Sequence, residues 1–199
     1  MPYNSFKHHR RSIRLRGYDY TQAGAYFVTL LAHNRECLFG DVVDGEMRVN
    51  ALGQIVAECW EALPAHFSNV ELDGFVVMPN HTHGVIVIVS DAPPRKGEAL
   101  FGLPSRPKSA SPLQPVQPQP PRGTQSGSIG AIIQNFKSVS TRKINKSRNA
   151  VGAPVWHRNY YEHIIRSEKS LEAIRRYIEN NPANWAQDEE NPSNITRKP

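Results

Sequence analysis

Apolar positions along the chain alternate between two periods, and the changes of period mark the elements. The run AYFVTLLA, from Ala25 to Ala32, is continuously apolar and rich in aromatic and β-branched residues, the pattern of a strand covered on both faces. CLFGDVV and EMRVN flank Asp44-Gly45, a pair that supplies the positive φ angles of a tight hairpin turn. Asn50 is placed to cap a helix in which Leu52, Ile55, Val56, Cys59 and Leu63 recur at helical spacing, with Pro64 expected to end it. VELDGFVVMP (70–79) and HTHGVIVIV (81–89) read as two strands joined at Pro79-Asn80, the second apolar enough to be central. Ser128 is a candidate cap for a helix striped by Ile129, Ile132, Ile133, Phe136, Val139 and Ile144. VWHRNYYEHIIR (155–166) reads as a strand, and Ser167-Glu168 open a last helix that stops at Asn181-Pro182.

That order contains the βαββαβ skeleton of a ferredoxin-like α+β sandwich with an added β-hairpin and a C-terminal helix, its helices expected on one sheet face. A length of 199 residues suits one well-buried domain with tails. The domain is expected over 17–187, after a basic flexible arm at 1–16 and before a flexible tail at 188–199. Residues 91–127 interrupt it with a segment that holds most of the 16 prolines and few core-forming side chains, expected to be flexible.

Charge narrows the partners. Lysine and arginine number 24 against 18 acidic residues, a net charge of +6, which favours a polyanion and above all nucleic acid. Arg10, Arg11, Arg14 and Arg16 in the arm, and Lys137, Arg142 and Lys143 on the polar face of the helix after Ser128, are the expected contacts to DNA phosphates. Solvated surface explains any one of them equally well. Two cysteines without zinc-type spacing fit a reducing cytoplasm, and the sequence has neither a secretory signal nor an apolar stretch of membrane length. No Walker-type loop or dinucleotide fingerprint supports ATP-driven or redox chemistry.

His81 and His83 stand two apart on a strand, so both imidazoles project from the same face while Thr82 points away. At that spacing they can share one divalent metal, although a polar strand end explains the triplet as cheaply. On the last helix Tyr177 and Asn181 lie four apart, about 40° around the axis, giving a possible nucleophile beside a possible metal ligand. A core tyrosine, with Asn181 merely ending the helix before proline, accounts for that pair equally well.

MPNHTHG, SIGAIIQNFKS and PVWHRNYYEHIIRSEKSLEAIRRYIENNPANW, in that order, closely resemble the REP-associated tyrosine transposases, within the insertion-sequence 200-like superfamily of single-tyrosine HUH transposases. The resemblance spans roughly residues 17–187. It implies that His81 and His83 are the HUH metal ligands, Asn181 the polar third ligand and Tyr177 the nucleophile. It also implies Mg²⁺ or Mn²⁺, single-stranded or hairpin DNA resembling REP palindromes, a 5′-phosphotyrosine intermediate, and a monomer or a homodimer. Thr82 departs from the pattern, whose middle residue is usually bulky and hydrophobic. Tyr160 and Tyr161 precede the last helix, which leaves Tyr177 as the expected nucleophile. The competing readings are a non-catalytic nucleic-acid-binding regulator and a metal-dependent phosphodiesterase that activates water.

Overall fold

The computed structural model describes residues 18–89 and 124–195. Arg10, Arg11, Arg14 and Arg16 lie outside the described residues, as does most of the proline-rich segment.

Strand β1 (Gly24–Leu31) is buried along almost its whole length because it is central. The hairpin strands β2 (Gly40–Val43) and β3 (Glu46–Val49) follow, and between them Asp44 and Gly45 both adopt positive φ, 54° and 79°. Helix α1 (Ala51–Glu61) begins where the Asn50 side chain accepts from the amides of Leu52 and Gly53. Pro64 does not end this helical run as expected. It sits in the first turn of a short helix α2 (Leu63–His66), where its missing N–H costs nothing. Strands β4 (Val70–Val77) and β5 (His81–Ile88) come next, then α3 (Ile129–Ser147), capped by Ser128 as its sequence suggests. Strand β6 (Tyr161–Ile165) and helix α4 (Glu168–Asn180) complete the layers.

The main sheet has the order β4-β5-β1-β6, every neighbouring pair antiparallel, which is the ferredoxin-like arrangement; β2 and β3 form a separate hairpin. One face carries Tyr26, Val28, Leu30, Ile86 and Ile88 against Val56 and Trp60 of α1 and Ile132, Ile133 and Phe136 of α3. The other carries Ala25, Phe27, Val85 and Val87 against Leu171 and Ile178 of α4. Helices therefore cover both faces, not the single face expected. The uninterrupted apolar run of β5 requires this, since each of its sides must be buried.

Two further expectations are revised. The strand read over 155–166 is shorter, with Trp156 contributing only an isolated bridge to Ala32. Its intervening carbonyls at His157 and Asn159 instead accept from Lys137 Nζ, each at 2.9 Å. Residues 188–195, expected within a flexible tail, are tied down: Asn191 Nδ2 donates to Trp185 O at 2.9 Å, and Asn194 Nδ2 to Asp188 O at 2.9 Å. They include a short helix, α5 (Pro192–Ile195). No helix among the described residues is long and apolar enough to cross a membrane.

Register places the histidines. His83 pairs with Thr29 and His81 with Leu31, so both rings face α4; Thr82 pairs with Leu30 and faces α1 and α3. Gly84 follows because a Cβ there would meet the Trp60 ring at 2.3 Å.

Candidate active site

Helix α4 is fixed over β4 before it delivers any chemistry. Arg175 donates to both carboxylate oxygens of Asp73 on β4, at 2.8 and 2.6 Å, while Ile178 packs against Gly74. Between those two anchoring residues the helix presents Tyr177 and, one turn further on at its C-cap, Asn181 to the histidine-bearing sheet face. Tyr177 is half exposed, packs edge-on to Phe27, and brings its hydroxyl to 3.2 Å from His83 Nε2. Asn181 is 3% exposed, and its side-chain oxygen is buried without a hydrogen-bond partner.

Asn80 sets the proton arrangement on His81. Its Nδ2 donates to the carbonyls of Arg35 and Glu190, at 3.1 and 2.7 Å, which commits its Oδ1 to face His81 Nδ1 at 2.9 Å. An amide oxygen only accepts, so Nδ1 carries the ring proton and the Nε2 lone pair points into the site. There it meets His83 Nε2 at 3.0 Å. The other nitrogen of His83 bonds Thr29 Oγ1 at 2.9 Å, and Phe27 stacks on its ring. Two ring nitrogens this close need a proton or a cation between them.

Burial acts in the same direction. It pushes His81 down to about 4, against the partial counter-pull of the Asp188 carboxylate, and His83 down to about 2. Both rings are neutral near pH 7 and able to donate lone pairs. The Tyr177 phenol is pushed upward, first by burial and then by Asp188.

Asp188 was not among the residues expected here. It follows a 3₁₀ turn (Trp185–Gln187), and one of its oxygens stands 3.3 Å from Asn181 Nδ2 and 3.9 Å from His81 Nε2. The ligand atoms of His81, His83 and Asp188 all lie within 4.8 Å of one another. No spacing rule links Asp188 to the histidines, so nothing in the sequence pointed to it. Asn80 was visible in MPNHTHG, but its role depends on where Arg35 and Glu190 end up.

His83, Tyr177, Asn181 and Asp188 line a cleft of about 780 Å³ that also takes in Thr29, Tyr161 and Asn184, while His81 itself is fully buried. The fold thus brings His81, His83, Tyr177 and Asn181 together. It does not bring Arg142 and Lys143 to them: both are exposed on α3, across the sheet from α4. Lys137 reaches the rim of the cleft through its bonds to His157 and Asn159. Trp156 is a core residue, its Nε1 donating to Ser140 Oγ at 2.9 Å.

For this ferredoxin-like sandwich, with paired histidines facing a tyrosine-bearing helix, the family match points to a DNA-processing class. The family described as "Transposase IS200 like" matches residues 122–181, covering α3, β6 and α4 with Tyr177 and Asn181. An uncharacterized protein of Haemophilus influenzae is 45% identical over 187 residues, covering 94% of this chain and 96% of its own length. A solved REP-associated tyrosine transposase bound to a REP hairpin shares the fold, with a TM-score of 0.54 at 14% identity, covering 89% of this chain and 77% of that one. Residues 122–181 of the chain thus belong to the IS200-like transposase family.

Proposed function

We propose that this protein is a metal-dependent single-stranded DNA endonuclease and strand transferase in which Tyr177 is the nucleophile. The observation that carries the reading is the convergence of the Tyr177 hydroxyl on His83 Nε2 at 3.2 Å, in the same cleft as Asn181 and with His81 Nε2 3.0 Å from that same nitrogen. The donor set suits a divalent cation: two neutral imidazoles with a lone pair of His81 aimed between them, and a buried amide oxygen of Asn181 left without a partner. His81, His83 and Asn181 would hold Mg²⁺ or Mn²⁺, which when bound offsets charge on the scissile phosphate.

The chain's own groups do the rest. Phe27 and the α4 backbone orient the phenol, and Asn80 and Thr29 hold the two imidazoles. The Tyr177 phenol gives up its proton as its oxygen attacks phosphorus, an O–P bond forms, the bond from phosphorus to the 3′ oxygen breaks, and that oxygen takes up a proton. The product is a 5′-phosphotyrosine and a free 3′-hydroxyl. One phosphodiester replaces another, so rejoining needs no external energy source. The substrate we favour is a REP-like hairpin, in keeping with the hairpin bound by the structural relative. Arg142 and Lys143, and the arm residues Arg10, Arg11, Arg14 and Arg16, are offered as phosphate contacts outside the cleft.

The test is incubation of labelled single-stranded hairpin DNA with Mn²⁺ or chelator, using the parent and Tyr177→Phe. A denaturation-resistant adduct that requires both metal and Tyr177 supports the reading. Cleavage without an adduct favours a water-activating phosphodiesterase, and binding without cleavage favours a non-catalytic regulator.

A further inference from the structure

We propose that Asp188 is a carboxylate donor to the same divalent cation, so that the negative charge of the site is supplied by the segment after α4. This rests on the metal-binding reading of His81, His83 and Asn181. Those three are neutral ligands, and they hold a place where His81 is fully buried and His83 and Asn181 are 3% exposed. A divalent ion taken from water into such a place needs compensating charge.

Asp188 is positioned to give it. Its Oδ1 accepts from the Glu190 amide at 2.6 Å, which turns Oδ2 toward Asn181 Nδ2 and His81 Nε2. Among the described residues, no lysine or arginine lies within salt-bridge distance of this carboxylate, and Arg35 is paired with Glu190. The segment itself is clamped: Asn80 Nδ2, whose amide oxygen orients His81, holds the Glu190 carbonyl, and Asn194 holds the carbonyl of Asp188. Asn181, whose Nδ2 approaches Asp188 Oδ2, also carries a buried side-chain oxygen without a partner. A carboxylate oxygen, an amide oxygen and two imidazoles make a mixed, mostly hard set suited to Mn²⁺ or Mg²⁺.

The full chain is titrated with Mn²⁺, and the free ion is followed by electron paramagnetic resonance without DNA. Asp188→Ala is expected to weaken binding about tenfold or more, and the near-isosteric Asp188→Asn by less, with both melting near the parent temperature. In a Cys37→Ser background, Asp188→Cys is expected to gain Cd²⁺ binding, with a thiolate-to-metal absorption band that the parent lacks. A purely structural aspartate would produce no such band. Unchanged Mn²⁺ affinity in Asp188→Ala, in a chain where His83→Ala still weakens it, overturns this inference and leaves the metal reading standing. Tighter binding in Asp188→Ala also overturns it, because the carboxylate would then be blocking the site. If the parent binds no Mn²⁺ that depends on His81 or His83, the metal reading itself falls and the inference with it.

Discussion

Asn80 Oδ1 lies 2.9 Å from His81 Nδ1, and its amide nitrogen is shared between the carbonyls of Arg35 and Glu190. One side chain thereby fixes which nitrogen of His81 faces the cleft and fastens two backbone segments behind it. Replacing it with leucine removes the acceptor while keeping the bulk. Asn80→Leu is expected to weaken Mn²⁺ binding about 10- to 100-fold, the usual cost of losing a group that orients a metal-bound histidine. Mn²⁺ titration checks this, and an affinity equal to the parent's would show that His81 is oriented by something else.

How much of this could be read from the chain follows from which relations are local. The two-residue spacing of His81 and His83 and the four-residue spacing of Tyr177 and Asn181 are properties of a strand and a helix, so the sequence carries them. The layers were legible for the same reason: the runs 25–32 and 81–89 could only be central strands. Which face α4 covers was not, because its stripe of Leu171, Ile174 and Ile178 fits either side of a sheet. Asp188 and the clamp from Asn80 to Glu190 join segments 110 residues apart and follow from tertiary closure alone. The strand over 155–166 was overextended because Val155 and Trp156 have strand-like side chains but bury them in the core beside a single bridge.

Thr82 is 1% exposed on the α1 and α3 side, and its hydroxyl has no hydrogen-bond partner. An unmet buried hydroxyl is a liability that a methyl group of the same shape removes. Thr82→Val is expected to stabilise the fold by about 1 kcal/mol, seen as a higher denaturant midpoint at unchanged slope. It should leave Mn²⁺ affinity alone, since residue 82 faces away from the histidines. A lower midpoint would mean that the hydroxyl is satisfied in solution.

Gly84 is demanded by Trp60, whose ring would be met at 2.3 Å by any Cβ there. Trp60 is also stacked on Phe75 at 4.6 Å and set edge-on to Phe136, so it has nowhere to retreat. Gly84→Ala is expected to cost about 1–3 kcal/mol through overpacking, with a change in the near-ultraviolet tryptophan signal. Parent-like stability would show that the ring can shift.

The Asp73–Arg175 pair links β4 to the helix that carries Tyr177. Hydrogen bonds from Arg175, first among the causes, hold the Asp73 carboxyl below its ordinary range. Because the folded value is the lower one, the pair's stabilisation is present above the unfolded carboxylate value of about 4 and is lost as pH falls through the lowered folded value. Asp73→Asn should therefore melt below the parent at pH 7 and approach it under acid. A gap in melting temperature that is constant between pH 7 and pH 3 would rule out this linkage.

Lys137 combines two demands that a DNA contact alone does not explain. Its ammonium donates to the carbonyls of His157 and Asn159 and lies 5.5 Å from the centre of the Tyr160 ring, while burial pushes it down to about 8. Below about 8 the folded chain carries the full cost of burying that charge. Between there and the unfolded value of about 10.4, the folded lysine has lost its proton while the unfolded one keeps it, so stability rises with pH. Lys137→Met is expected to remove that rise relative to the parent, and to loosen residues 157–160, visible as faster amide exchange. Arg142 is exposed, and Arg142→Ala should instead lower the salt dependence of DNA binding by about one unit of slope while leaving stability unchanged. If the salt slope falls for Lys137→Met and the alkaline rise persists, the lysine is a phosphate contact and its carbonyl bonds are incidental.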